Sequence, residues 1–201
     1  MAVTFNNKDV YAGRLYCFHT QPTQRDVMGY KLSGVAAGDV VPQGTPLVAN
    51  ADNKTATIAR YAKVVKKVST TKFIVDQLNF LTVGTKIFCS GEGTPTLSEI
   101  SAINTATKEI TLKAANSQLD AGKIMVEGVS ESDVVKVKDL PNRIVARTET
   151  MQTVNQTISA TWQAVAIQEV LDYPVEWYNT TAFPGSTLLV GCPHIVFIKQ
   201  G

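Results

Sequence analysis

The chain has few of the residues from which reactive centres are built. Among its 201 residues there are two histidines and three cysteines. The cysteines, Cys17, Cys89 and Cys192, are odd in number and far apart, so we expect buried free thiols rather than a disulfide framework. The Gly-x-Ser-x-Gly nucleophile motif does not occur, and Gly91-Glu-Gly93 lacks the third glycine and the following helix of a nucleotide-binding loop. The sequence therefore predicts a protein that is not an enzyme and holds no cofactor.

Charge of one sign and long apolar runs are also missing. The 19 basic and 17 acidic residues are intermixed along the chain and give a net charge of +2. So small and evenly spread a charge argues against nucleic acid or a membrane as the partner. No apolar run reaches the roughly 20 residues of a membrane helix, and the first residues lack the basic and apolar regions of a secretory signal. We therefore expect a soluble protein made in a cytoplasm.

Threonine, valine and short strand-like segments are abundant. The segment Thr85-Lys-Ile-Phe-Cys alternates, and Asn104-Thr-Ala-Thr-Lys joins two further β segments as a hairpin loop would. Several short strands between about residues 62 and 128 predict a small antiparallel barrel or sandwich. Residues 158–171 fit either a helix or a strand, and strand is favoured. The predicted class is mainly β.

Residues 1–38 differ from the rest of the chain. They carry spaced aromatic residues and several turn formers, and no helical periodicity holds across them. This pattern predicts an extended N-terminal arm with short strands, which lies on another surface more readily than it folds alone. An arm that orders on docking would account for its weak pattern.

Two Cys-x-His pairs are the sharpest chemical signal. Each histidine follows a cysteine by two positions, in Cys17-Phe-His19 and in Cys192-Pro-His194. Residues two apart on a strand point the same way, so the two pairs would make a tetrahedral zinc set if they met. The spacing is not one of the usual zinc-binding arrangements, and structural Cys and His residues near the chain ends are the favoured interpretation.

Carboxylates offer a second chemical possibility, because a glycoside hydrolase uses two of them. The candidates are Glu127, Glu131, Asp133, Glu169, Asp172 and Glu176. Nothing in their spacing selects a pair, and exposed acidic residues alternating along strands are the favoured interpretation.

Three segments carry a resemblance to a known group of proteins. The first is Val41-Pro-Gln-Gly-Thr-Pro-Leu-Val, followed by a short turn at 50–54. The second is a small β module that starts at Ala62-Lys-Val, contains Val83-Gly-Thr-Lys-Ile and residues 100–112, and ends at Val126-Glu. The third is the ending Cys192-Pro-His-Ile-Val-Phe-Ile. In this order, over about residues 40–201, they resemble tailed-phage head-fibre and capsid-decoration proteins.

The resemblance implies a structural virion protein on the outer capsid surface. It would bind the major capsid protein as a homo-oligomer, such as a trimer, with no nucleic acid or membrane partner. It also implies that a module at 61–128 is inserted into a discontinuous β-domain formed by 39–60 and 129–201, while the 1–38 arm contacts the capsid or another subunit. A tail or tail-fibre component that contacts host glycans is the alternative. A small glycan hydrolase and a zinc-binding protein are less favoured.

Aromatic side chains would anchor such an interface. The candidates are Phe5, Tyr11, Tyr16, Phe18, Trp162 and Trp177. For each of them ordinary core packing is the alternative.

Overall fold

The computed structural model describes residues 17–19, 22, 25–26, 28–154, 156–183 and 186–199. Strands dominate this part of the chain, where helix is limited to one turn, α1 (Gln168–Leu171), and a 3₁₀ turn, Val175–Trp177. The prediction of a mainly β fold is therefore confirmed. The strands are β1 (Tyr30–Ser33), β2 (Val40–Val41), β3 (Pro46–Asn50), β4 (Thr55–Ile58), β5 (Tyr61–Lys67), β6 (Lys72–Val75), β7 (Lys86–Cys89), β8 (Ser98–Asn104), β9 (Glu109–Leu112), β10 (Ile124–Glu131), β11 (Val134–Val137), β12 (Arg143–Val145), β13 (Glu149–Thr150), β14 (Thr157–Ile158), β15 (Ala160–Thr161), β16 (Ala164–Ile167), β17 (Tyr178–Phe183), β18 (Ser186–Leu189) and β19 (Cys192–Ile198).

The chain divides into two compact units. The first combines the described residues up to Ile58 with Pro141–Asp172 and with those from Asn179 onward. The second consists of Ala59–Leu140 together with Tyr173–Tyr178. Each unit is therefore built from segments that are distant in sequence.

The second unit is an antiparallel barrel. Its strands pair in the order β10-β5-β6-β9-β8-β7, and β10 also pairs with β7. The ring closes because β10 pairs with β5 through Ile124–Val126 and with β7 through Met125–Glu127. A closed ring leaves few unpaired strand edges. β11 adds to β10 outside this ring.

Alternating strands fill the barrel interior. Residues of β6 and β9 are buried at every second position, which places Phe73 and Ile110 inside with no exposed surface. Ile87, Ile100 and Met125 join them in the same cluster. Burying each such side chain stabilises the fold by roughly 1.5–3 kcal/mol.

The first unit contains three sheets. Six strands pair in the order β14-β1-β4-β3-β12-β15, four in the order β16-β19-β18-β17, and β2 pairs with β13. Parallel pairing joins β1 to β4 and β16 to β19. The four-stranded sheet is extended by Phe18, which forms an antiparallel bridge with Ala166 on the free side of β16.

The expectation that residues 1–38 form an extended arm needs correction at its C-terminal end. Tyr30 and Leu32 are buried, and their strand β1 lies inside the six-stranded sheet between β14 and β4. Gly29, at a φ of +63°, allows this position, because a Cβ there would overlap the carbonyl oxygen of Ile158 on β14. Residues 1–16 lie outside the described part of the chain.

The ambiguous segment 158–171 contains both elements. It holds β15 and β16, and Gln168–Leu171 forms one helical turn that ends at Asp172 in the left-handed conformation. The preference for strand was therefore right for β16 and wrong for the last four residues of the segment, which form α1. Periodicity could not separate them because each element is only four residues long.

Two expected boundaries of the inserted module differ from those of the barrel unit. Residue 128 falls within β10, because Gly128–Glu131 continue that strand and pair with β11. Tyr173 and Trp177 belong with the barrel, since both rings contact Tyr61 edge-on at centroid distances of 5.5 and 5.4 Å. We call Tyr173–Tyr178 the strap.

Candidate interaction surface

The four-stranded sheet of the first unit has a buried face and an exposed face. Along β16, Ala164 and Ala166 are buried, whereas Val165 is 37% exposed. Val165 lies directly opposite Val196 of β19, and the amide of His19 donates to the carbonyl of Val165 at 2.8 Å. His19, Val165 and half-buried Val196 therefore form a row across the outside of the sheet.

Trp162 and His194 adjoin this row. Their ring centroids are 5.5 Å apart in a T-shaped arrangement. Trp162 is half-buried and His194 is exposed, and the Cys192 thiol donates to the carbonyl of Trp162 at 3.1 Å, which holds the two segments together. We call the set of His19, Trp162, Val165, His194 and Val196 the outer patch. It combines aromatic and aliphatic side chains without a carboxylate, lysine or arginine, which is the composition typical of an interface centre.

The six aromatic residues expected at an interface have different environments. Phe18 and Trp177 are each 1% exposed, so they are core residues, and the expectation that they contact a partner was wrong. Only Trp162, of the three within the described residues, reaches the surface. Phe5, Tyr11 and Tyr16 lie outside the described residues.

The two Cys-x-His pairs share one sheet but do not meet. The amide of Ile167 donates to the carbonyl of Cys17 at 2.8 Å, and Ile167 pairs with Ile198 of β19. Cys192 lies at the opposite end of β19, roughly 20 Å along the strand at about 3.3 Å per residue. A tetrahedral zinc site requires all ligands within about 2.3 Å of one ion. The predicted zinc set is therefore not assembled, and the described residues contain no other cluster of three metal-ligating side chains.

Cys17 and His19 share one face of the sheet, since they lie opposite Ile167 and Val165, whereas Cys192 and His194 do not. Cys17 and Cys192 are buried, whereas His19 and His194 are exposed. On β19 the cause is a register shift: Leu188 pairs with Val196, but the next residue, Leu189, pairs with Cys192. Such an irregularity breaks the two-residue alternation of a strand. Both histidines lie in the outer patch.

The third cysteine, Cys89, has an unreactive thiol. Cys89 has no exposed surface. Burial, followed by the nearby carboxylate of Glu92, raises the pKa of its thiol to about 11. The thiol is therefore protonated near neutral pH and is a poor nucleophile or metal ligand.

Glu127 anchors the place where β10 leaves the barrel. Its Oε1 accepts a hydrogen bond from Lys138 Nζ at 2.9 Å and lies 3.8 Å from Arg60. The backbone supports the same contact, because the Lys138 amide donates to the Glu127 carbonyl at 3.0 Å. Burial also raises the pKa of the neighbouring Asp139. Glu127 is only 7% exposed, so this carboxylate fixes the strands that surround it.

Glu176 fastens the strap to the barrel. Its Oε2 accepts a hydrogen bond from Ser90 Oγ at 2.6 Å, and its Oε1 accepts one from the Gly91 amide at 2.8 Å. Ser90 Oγ in turn accepts one from the Val175 amide at 3.0 Å. Of the six candidate carboxylates, Glu127 and Glu176 therefore make structural bonds, whereas Glu131 and Asp133 are exposed beside a turn.

Sequence reasoning missed the valines of the outer patch. Composition does not single out Val165 or Val196, because apolar residues in strands are more often inside than outside. The alternation of small Ala164 and Ala166 with a larger Val165 was the available signal, since small residues favour close packing on one face. Only the burial pattern identifies Val165 as the exposed member of that alternation.

No protein-family model, curated protein or solved structure matches the chain. In the part of the chain that the structure describes, no helix is long and apolar enough to cross a membrane.

Proposed function

We propose that the chain is a structural virion protein that decorates the outer capsid surface. It binds the major capsid protein and assembles as a homo-oligomer. The resemblance of its three segments to head-fibre and capsid-decoration proteins supports this proposal. The function is accordingly recognition by surfaces rather than catalysis.

The outer patch is the observation that carries the proposal. Its exposed Val165 and its half-buried Trp162 place apolar surface in water, which favours burial against a partner. The chain also joins this sheet at Cys17, directly after residues 1–16. The predicted contact residues Phe5, Tyr11 and Tyr16 therefore precede the patch in sequence.

The barrel suits the outward-facing part of such a protein. Several of its surface charges are paired with opposite ones, as in Lys72–Glu109 at 3.4 Å and Lys123–Glu92 at 3.2 Å. Exposed pairs of this kind add little stability, typically about 0–1 kcal/mol each. The outer patch belongs to the first unit, so the capsid contact is assigned to that unit.

Capsid binding of two valine variants tests this assignment. Val165→Glu places a carboxylate in the outer patch, and Val83→Glu makes the same change at a 60% exposed valine of the barrel unit. Each protein is mixed with purified capsids that lack it, and the bound fraction is measured after sedimentation. We expect Val165→Glu to weaken binding by about tenfold or more, because a carboxylate desolvated without a partner costs more than about 1.4 kcal/mol. Val83→Glu should bind like the natural chain. Equal binding of all three proteins would contradict the assignment.

A tail or tail-fibre role with host glycans as ligands is the second candidate. One observation favours it: Trp162 keeps part of its ring in solvent on a β-sheet surface, and sugar rings pack on such aromatic surfaces. Glycan-array binding that is lost in Trp162→Ala, without any capsid binding, would support this role instead.

A further inference from the structure

A hairpin projects from the barrel and leaves the outer edge of β11 open. Beyond Glu127, β10 runs on to Glu131, where its partner among the described residues is β11. Gly128 is the first residue of β10 outside the barrel ring. It must be glycine, because a Cβ there would overlap the ring of Phe88. Within the described residues β11 pairs with β10 alone. Its second edge is therefore available for another strand.

The backbone groups on that edge follow from the register. Val134 lies opposite Glu131, and Lys136 lies opposite Val129. The bond from the Lys138 amide to the Glu127 carbonyl shows that the even-numbered residues of β11 point their backbone groups toward β10. In an antiparallel pair the alternate residues point away. The N–H and C=O groups of Val135 and Val137 thus point outward, and no partner for them occurs in the described part of the chain.

The hairpin is weakly stabilised by itself. Its turn residues, Ser132 and Asp133, have φ values of +50° and +63°, a conformation that Asn-Gly adopts far more readily. Val134 is 62% exposed. An isolated two-stranded hairpin is marginally stable in water, and a third strand supplies the missing hydrogen bonds and burial.

We propose that β11 pairs antiparallel with β11 of a second copy of this chain, about a two-fold axis at Val135. Such pairing joins the two hairpins into a continuous four-stranded sheet. The inference deepens the self-association that belongs to the proposed function and names its surface. It does not depend on capsid binding, because the pairing forms in the isolated protein.

The charges on the edge select this register. When the two β11 edges pair antiparallel, residues whose backbone groups point outward must lie opposite each other. Three registers meet this condition, and their two-fold axes pass through Val135, Lys136 or Val137. Centring on Lys136 sets the two Lys136 side chains opposite each other. Centring on Val137 sets Lys136 opposite Lys138 of the second copy. Like charges directly opposite are destabilising.

Centring on Val135 avoids both repulsions. It sets Lys136 opposite Val134 of the second copy, and Asp133 opposite its Val137. Within one chain Glu131 pairs with Lys136 at 2.5 Å. In the dimer Glu131 lies beside Val134, which faces Lys136 of the second copy, so all three share one row across the sheet. The edge is therefore complementary to itself, which is why a second copy is favoured over an unrelated strand.

Two cysteine variants of the full chain read out the register. In the Val135-centred pair the two Val135 Cα atoms are about 5.5 Å apart, within the range of a disulfide. The two Lys136 Cα atoms are about 8 Å apart, beyond that range. The natural cysteines are all buried. We therefore expect Val135→Cys, but not Lys136→Cys, to form a disulfide-linked dimer on mild oxidation. Cross-linking of Lys136→Cys alone, or of neither variant, would overturn the proposal.

A proline variant tests the backbone pairing without a cross-link. Val135→Pro removes an outward N–H and no bond within the hairpin, and proline is tolerated on an edge strand. By light scattering at high protein concentration we expect the natural chain to have twice its 21.7 kDa chain mass and Val135→Pro to have the monomer mass, with unchanged circular dichroism. A monomeric natural chain, or a dimer that survives Val135→Pro, would refute the pairing. Monomers that lose capsid binding on Val135→Pro would instead show that the edge takes a strand of the capsid protein.

Discussion

Glu176 is the side chain whose loss should loosen the strap most. Replacing it with alanine removes two hydrogen bonds to a charged acceptor, one from Ser90 Oγ and one from the Gly91 amide. Each bond of this kind contributes about 1.5–3 kcal/mol. Gly91 is exposed, so water replaces part of its bond. We therefore expect Glu176→Ala to lower the free energy of unfolding of the barrel unit by about 2–3 kcal/mol.

Tryptophan fluorescence provides the assay. Trp177 lies in the strap, is 1% exposed and contacts the rings of Tyr61 and Tyr173. In a Trp162→Phe background it is the single tryptophan, so a urea titration followed at its emission reports release of the strap and unfolding of the barrel.

Glu99→Ala is the matched control for this titration. It removes a barrel carboxylate that pairs with Lys113 at 2.5 Å, where both side chains are substantially exposed. Such surface pairs contribute less than about 1 kcal/mol. A Glu176→Ala midpoint that is no lower than the Glu99→Ala midpoint would refute the reasoning.

Three further predictions concern the barrel unit. Phe73→Ala, at a side chain with no exposed surface, should cost about 3–5 kcal/mol in urea unfolding, whereas Val68→Ala, 48% exposed, should cost below about 0.5 kcal/mol; equal losses would contradict the assigned core. Because its pKa is about 11, about one Cys89 thiol in a thousand is ionised at pH 8, so alkylation of the folded protein should be slow and should accelerate toward pH 11; peptide-like rates at pH 8 would contradict this. Burial raises the pKa of Asp139, so its ionised form destabilises the fold: Asp139→Asn should stabilise the protein at pH 7, with the gain lost as the pH falls toward 3.8, and a gain that persists at low pH would oppose the assignment.

Local patterns predicted much of the barrel. The Asn104-Thr-Ala-Thr-Lys loop does join β8 to β9, and its Asn104 side chain accepts from the Ala106 amide at 3.1 Å, as asparagine does in turns. The segment that ends at Cys89 does form a strand, β7, but Ile87, Phe88 and Cys89 are all buried, so the expected alternation is absent. The β8–β9 hairpin was predictable because its paired residues, such as Asn104 and Glu109, lie within a few positions of each other.

Features that depend on distant residues were not predictable. β1 looked like part of an arm because its partners, β14 and β4, lie elsewhere in the chain. Trp177 looked like an interface anchor because its barrel contact, Tyr61, is more than a hundred residues away. For the candidate site, the Cys-x-His hypothesis failed because pairing between distant strands places Cys17 near the Ile198 end of β19 and Cys192 at its other end.

Mass spectrometry of purified virions, with heads and tails separated beforehand, tests the central claim most directly. The account predicts that the chain is recovered in many copies with the heads. Recovery with the tails, or absence from both fractions, would contradict a capsid-decorating role.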